Sequence, residues 1–207
     1  MTSSVNFPSH RVLRGTFIEL VPLAREHIPA LLDIAYANVD EFRLTSTPSD
    51  AQQADFYFGM AFEEVAAGTA YVVAVLDRAG QVIGTSRLAD LVPRHRVCEL
   101  GYTWYDPKVF SSGVNVECKL LLLRFAFEEL RLNRVQMVTD TRNLRSQRAI
   151  KALGAEFEGV LRRHKIAKDG YVRDSLVYAV TDITWPTVKL LLTERLQRKL
   201  ARAGYAG

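Results

Sequence analysis

The feature that most constrains the fold is a strand-like run that passes through a short segment of small residues directly into an apolar helix. The run is Glu99–Tyr105, the segment is Phe110–Asn115 and the helix begins near Val114. Such an arrangement leaves several main-chain N–H groups at the start of the helix without intrahelical partners, and the helix dipole adds partial positive charge there. The pattern predicts a site for a phosphate group. The alternative is a plain strand-to-helix turn that needs Gly113 only for its backbone freedom.

Length and composition predict one packed domain. The chain has 207 residues, of which 48% are hydrophobic and 7 are prolines, and this is long enough for one core and short for two. We expect a single domain over residues 1–207, with its core at about 12–180 and a C-terminal amphipathic helix at about 185–202. The net charge of +4 is spread along most of the chain and suits an anionic ligand. Dense basic runs with interleaved aromatics are missing, so we expect no direct nucleic-acid binding.

Neither the cysteines nor the histidines form a metal-binding pattern. Cys98 and Cys118 lack C-x-x-C spacing, and the four histidines are scattered along the chain, so we expect neither a metal site nor a disulfide. The first eleven residues contain no apolar signal core, and no stretch approaches the roughly 18 apolar residues of a membrane span. The sequence therefore predicts a soluble, cytoplasmic protein with no membrane partner.

Hydrophobic periodicity predicts a mixture of strands and helices of the α/β (α+β) class. The predicted strands are residues 16–21, 69–76, 81–88, 97–105, 134–139, 157–166 and 171–180. The predicted helices are residues 25–38, 49–67, 114–131, 143–153 and 185–202. Ser49 is the expected N-cap of the second helix, and Gly154 suits the left-handed end of the fourth.

Three local motifs accompany this order of elements. They are Glu99-Leu-Gly-Tyr before the turn, Gly113-Val-Asn at the start of the long helix, and Asn143-Leu-Arg-Ser146 followed by Ala152-Leu-Gly-Ala155. Their order and spacing resemble the GNAT superfamily of acyl-coenzyme A-dependent N-acetyltransferases, and within it the RimJ/RimL-like branch. The resemblance covers roughly residues 12–180. It implies a central mixed, mostly antiparallel twisted sheet with helices on both faces and splayed central strands.

The resemblance implies acetyl-CoA (coenzyme A) as cosubstrate, without a metal, and a primary amine as acceptor, either a protein N-terminus or a small molecule. The family's pyrophosphate loop usually runs Q/R-x-x-G-x-G/A, and here Phe110 and Asn115 stand at its two ends. Because main-chain N–H groups make the contacts, Gly113 matters most. The implied cofactor-binding residues are Trp104, Tyr105, Ser112, Gly113, Val114, Asn115, Asn143 and Ser146. Main-chain N–H groups near the first two would contact the acyl oxygen.

Glu99 and Ser146 are the predicted catalytic residues. Glu99 interrupts a largely apolar strand, where desolvation raises the pKa of a carboxyl group toward that of a general base, acting directly or through water. The alternative is a solvent-facing residue on the other face of the strand. The resemblance places Ser146 beside the thiol end of the cofactor, where its hydroxyl would protonate or hydrogen-bond the departing thiolate. The alternative here is a plain helix start, with Asn143 as N-cap and Ser146 in the first turn.

Two wider alternatives stay open in the sequence. The basic helix at 185–202 has an apolar side made of Val188, Leu192, Leu196 and Leu200. This stripe favours packing on its own domain or a homodimer contact over docking to an anionic surface. The resemblance favours an enzyme that transfers acetyl groups by direct attack in a ternary complex. A non-catalytic acyl-CoA-binding sensor or interaction module is the alternative from another class.

Overall fold

The computed structural model describes residues 6–8 and 10–204. The prediction about a signal segment therefore falls mostly on residues outside these ranges, and the ends of the predicted 1–207 domain also lie outside them. Within the described residues, none of the helices combines the length and apolar character needed to cross a membrane. In the same residues, no three His, Cys, Asp or Glu side chains come together as metal ligands.

The described residues form eight strands and five α-helices. The strands are β1 (Leu13–Arg14), β2 (Ile18–Pro22), β3 (Tyr71–Asp77), β4 (Val82–Val92), β5 (Val97–Tyr105), β6 (Arg134–Asp140), β7 (Glu156–Ile166) and β8 (Val172–Thr181). The helices are α1 (Ile28–Ala37), α2 (Ala51–Ala66), α3 (Val114–Arg124), α4 (Leu144–Ala152) and α5 (Trp185–Arg202). A π-helical turn, Phe125–Glu129, continues α3.

The strands make one sheet in the order β1-β2-β3-β4-β5-β6-β8-β7, and only β5 and β6 pair in parallel. Alternate residues of β3 enter different cores, because side chains along a strand point to opposite faces. Val73 packs in the core that holds α3 and α5, whereas Val72 packs with Ala61 of α2. Helices therefore cover both faces, which confirms the predicted fold class.

The parallel pair β5–β6 opens after three residue pairs, the last of which is Glu99 with Gln136. Beyond this point β5 pairs only with β4, and β6 pairs only with β8 as far as Asp140. The two central strands thus leave a cleft between them, with Glu99 at its closed end. This opening is the splay that the resemblance implied.

The helix boundaries differ from the predictions at a few points. Asp50, and not Ser49, caps α2, since its carboxylate accepts the Gln53 N–H at 2.8 Å while the Ser49 hydroxyl donates to the Gln53 side chain. The two-residue strand β1 was not predicted. Helix α5 has the predicted bounds, and its apolar stripe is buried against the core that contains α3. This confirms packing on its own domain.

Candidate active site

The start of α3 presents free main-chain donors. The N–H groups of Gly113, Asn115 and Val116 donate no hydrogen bond to any of the described residues. Two neighbouring amides are used internally, since the Ser112 N–H donates to the Val109 carbonyl at 3.3 Å and the Val114 N–H donates to the Ser112 hydroxyl at 3.2 Å. Of the predicted phosphate contacts, Gly113 and Asn115 therefore have available amides, whereas those of Ser112 and Val114 are engaged.

Gly113 is required for close packing. Its φ of −77° is ordinary for any residue, so the alternative based on backbone freedom is wrong. A Cβ atom at this position would lie 2.1 Å from Cε2 of Phe17, far inside van der Waals contact. The left-handed residue of the segment is Ser111, with φ 62°. The aromatic ring of the β1–β2 turn thus sits directly on the start of α3.

A buried carboxylate holds this turn in place. Glu117 is 2% exposed and accepts the N–H groups of Thr16, Phe17 and Ile18 at 2.5, 2.7 and 3.0 Å. The three contacts satisfy donors that strand pairing leaves open at the turn. Glu117 and Phe17 were not predicted as site residues, because they come together across about a hundred residues of sequence.

Strand β5 bulges at Tyr102 and Thr103, where two residues oppose the single residue Ser86 of β4. Tyr102 has a left-handed φ of 53° and its carbonyl accepts the Tyr57 hydroxyl at 3.3 Å. The Trp104 indole N–H donates to the same hydroxyl at 3.2 Å. Bulges of this kind redirect backbone and side chains near functional sites.

Beyond the bulge, the backbone direction separates the two predicted acyl-oxygen donors. The Asp106 N–H donates to the Ile83 carbonyl of β4 at 2.8 Å. Because N–H directions alternate along a strand, the Trp104 N–H also points to β4, and the Tyr105 N–H points to the cleft. The Tyr105 side chain turns to α3, where its hydroxyl donates to Asn115 Oδ1 at 3.3 Å.

Glu99 is buried at the closed end of the cleft. It is 8% exposed, so the alternative of a solvent-facing residue is wrong, and its carboxylate accepts the side-chain N–H of Gln136 at 3.2 Å. Burial raises the pKa of Glu99 above its ordinary value, and the charge of Asp90 adds to this. Nearby Lys165, the Gln136 hydrogen bond and Arg173 act in the opposite direction. The raised pKa fits a proton acceptor.

Asn143 is the N-cap of α4, as the structural alternative predicted. Its Oδ1 accepts the Ser146 N–H at 3.0 Å, and its side-chain N–H reaches the Leu44 carbonyl at 3.5 Å. Both ends of this amide are therefore occupied. The half-buried Ser146 hydroxyl makes no hydrogen bond to the described part of the chain, so it is available to a ligand.

Two cations that were not predicted lie on the segment before α3. The guanidinium of Arg145 lies 4.8 Å from the ring centroid of Phe110 and forms an ion pair with Glu41. The ammonium of Lys199 in α5 donates to the Ser111 carbonyl. The position of Arg145 inside the motif Asn143-Leu-Arg-Ser146 was the available signal for the first. Nothing local in α5 indicated the second.

Known proteins share this fold. An acetyltransferase-named protein from T. thermophilus, whose name is provisional, is 37% identical, with 92% of this chain and 98% of that chain covered and a TM-score of 0.79. A GCN5-related N-acetyltransferase from Brucella melitensis is 25% identical, with 95% and 90% covered and a TM-score of 0.80. RimJ from Mycobacterium smegmatis, solved with CoA-disulfide, is 18% identical with a TM-score of 0.75 over 89% of this chain and 91% of that one. That last likeness is one of fold alone.

The sequence comparisons point the same way. The uncharacterized N-acetyltransferase YoaA of Bacillus subtilis (strain 168) is 31% identical over 100 residues. The match covers 48% of this chain and 55% of that protein, so it spans about half of the curated relative. Residues 18–156 match the family described as an acetyltransferase (GNAT) domain. With this match over most of the sheet and the opened strand pair, the chain belongs to the GNAT acetyltransferase family, as its motifs predicted.

Proposed function

We propose that this protein is an N-acetyltransferase that moves an acetyl group from acetyl-CoA to a primary amine by direct attack. The observation that carries the proposal is the opening of β5 and β6 after Glu99, at a cleft whose other end meets the free amides of α3. One end offers donors for phosphate and the other offers a buried carboxylate. Family membership and the N-acetyltransferase relatives support the same activity.

Bound acetyl-CoA would supply an acetyl group activated as a thioester. Glu99 would take a proton from the incoming ammonium, directly or through water, because its raised pKa brings it nearer to neutrality. The Tyr105 N–H would donate to the acyl oxygen as that oxygen gains negative charge. The Ser146 hydroxyl would donate to the sulfur of the departing thiolate. Each of these three roles is assigned from position and available hydrogen-bonding groups.

The residues around the start of α3 fit the phosphates of the cofactor. The free amides of Gly113, Asn115 and Val116 supply donors, and the helix dipole favours negative charge at the same point. Arg145 and Lys199 flank this segment and supply formal positive charge. Phe110 carries no charge in place of the family's usual Gln or Arg, and its ring instead seats the guanidinium of Arg145.

The test follows thiol release from acetyl-CoA in the presence of peptides with free N-termini and of small polyamines. We expect release that depends on the acceptor, and we expect Glu99→Gln to lower kcat by about a hundredfold to ten-thousandfold. Glu156→Gln, which changes an exposed carboxylate on β7, is the matched control and should retain activity. Tight binding of coenzyme A without turnover on any acceptor would support the non-catalytic sensor instead.

The nature of the acceptor is also decided by this panel. Turnover on peptides alone would identify a protein N-terminus, and turnover on polyamines alone would identify a small amine. The cytoplasmic location and the homodimer expected from the sequence stay predictions.

A further inference from the structure

Helix α3 carries a buried ammonium group that the proposed reaction does not use directly. Lys119 is 7% exposed. Its Nζ donates to the hydroxyls of Thr103 at 2.5 Å and Ser86 at 3.3 Å, and no carboxylate of the described residues forms an ion pair with it. A buried charge without a counter-charge is expensive in folding free energy, so such groups are usually kept for a reason other than stability.

The contacts of Lys119 lie at the β5 bulge. Thr103 is one of the two bulged residues, and its hydroxyl also donates to the Gly101 carbonyl at 3.1 Å. Ser86 is the single residue opposite the bulge, and the two hydroxyls lie 2.7 Å apart. On the other face of the sheet, Tyr57 donates to the carbonyl of left-handed Tyr102. The bulge is thus held from both faces, and the α3 side carries the charge.

The positive charge also lies beneath the strand that faces the acyl group. Thr103 and Tyr105 are two residues apart on β5, so their N–H groups point in the same direction, into the cleft. A cation held against the side chain of Thr103 therefore sits close behind these donors. In a buried environment, a fixed charge in such a position acts strongly on an oxygen that becomes negative.

We propose that Lys119 is a positioning residue for acetyl transfer, which acts through Thr103 to fix the β5 bulge and to polarise the acyl carbonyl bound beside it. The inference rests on the proposed function, because it requires acetyl-CoA in the cleft. It adds a positive charge from α3 to a site otherwise built from main-chain donors and one carboxylate.

The ammonium is the titrating group in its surroundings. Helix α3 contributes Cys118 and β5 contributes Tyr105, and burial raises the pKa of both side chains, so they stay neutral near pH 7. Strand β4 contributes the Ser86 hydroxyl, which does not titrate in this range. Burial lowers the pKa of Lys119 to about 8. Polarisation should therefore weaken as the pH rises above this value.

The experiment measures the carbonyl resonance of acetyl-CoA, labelled with 13C at the acetyl carbonyl, when bound to the full chain. A downfield shift on binding reports polarisation of the carbonyl. We expect this shift in the wild type at pH 7, its loss as the pH passes 8, and a smaller, pH-independent shift in Lys119→Met. Lys151→Met, which changes an exposed lysine on α4, should keep the wild-type shift and its pH dependence.

Stability separates this role from a merely structural one. In Lys119→Met the hydroxyls of Ser86 and Thr103 still pair with each other, so the variant should bind acetyl-CoA and unfold at the same temperature as the wild type or higher. A folded Lys119→Met that binds acetyl-CoA with the wild-type resonance at every pH would overturn the inference. Should that variant not fold, a wild-type resonance that stays constant from pH 6.5 to 9.5 would overturn it alone. If no labelled acetyl-CoA binds to the wild type, the proposed function itself fails.

Discussion

The buried carboxylate of Glu117 offers a direct test of how the phosphate-binding end of the cleft is held. Glu117→Gln keeps the size of the side chain but replaces one of two acceptor oxygens with a donor. At least one of the three N–H groups at 16–18 then loses its acceptor and faces another N–H. Hydrogen bonds to a charged group contribute about 1.5–3 kcal/mol each, and a buried donor left unpaired costs about 1–3 kcal/mol.

We therefore expect Glu117→Gln to lower the free energy of unfolding by about 3–5 kcal/mol. For a domain of this size the corresponding fall in Tm is about 6–20 °C. Urea unfolding followed by circular dichroism measures the change. Coenzyme A binding should weaken as well, because Phe17 would no longer be fixed against Gly113.

Glu129→Gln is the matched control. Glu129 also joins the N-terminal segment to the end of the helical run, through an ion pair with Arg11 at 2.8 Å, but both side chains are nearly half exposed. Exposed pairs contribute little to stability, so the urea midpoint of this variant should stay close to that of the wild type. Equal midpoints for Glu117→Gln and Glu129→Gln would refute the argument that the buried contacts hold the turn.

Three further predictions concern single side chains. Gly113→Ala should cost about 1–3 kcal/mol of unfolding free energy by overpacking and clearly less in a Phe17→Ala background; equal costs in a thermal-unfolding cycle would exclude the contact. Because burial raises the pKa of Glu99, the folded chain keeps a proton that the unfolded chain releases, and the stability contribution of this group falls as the pH rises above the ordinary carboxyl value. Glu99→Gln should remove that part of the pH dependence in urea titrations from pH 4 to 7, and an unchanged dependence would contradict the burial. For Lys119, with a pKa lowered from 10.5 to about 8, the unfolded chain holds the proton that the folded chain has lost, so stability relative to Lys119→Met should rise by about 3 kcal/mol between pH 8 and 10.5. A difference that does not vary with pH would show that the ammonium is solvated.

Local patterns predicted the parts of the site that depend on neighbours in sequence. Strand β5 and helix α5 have the predicted bounds, because their hydrophobic periodicity is strong and their ends carry clear signals. Glu99 was found as a charge inside an apolar strand, and its burial confirms that interpretation of its surroundings. Asn143 combines both interpretations of its motif, since the N-cap is present and the adjacent Ser146 hydroxyl is available.

The remaining features depend on contacts between distant segments. The reason for Gly113 is a ring 96 residues earlier in the chain, and the partners of Glu117 belong to the same distant turn. Lys119 is followed by four leucines in sequence, and only the register of β4 against β5 shows that two hydroxyls and a bulge face it. Ser49 and Asp50 are both good caps, and the choice depends on how the Gln53 side chain settles. Such contacts leave no periodic signal in the sequence.

The most direct test of the account is a crystal structure of the protein with acetyl-CoA. The account predicts diphosphate oxygens within about 3.2 Å of the main-chain nitrogens of Gly113, Asn115 and Val116, with the acyl oxygen at the Tyr105 N–H and the carbonyl carbon facing the side of the cleft that holds Glu99. A cofactor bound elsewhere, with the amides at the start of α3 more than about 4 Å from any phosphate oxygen, would contradict it.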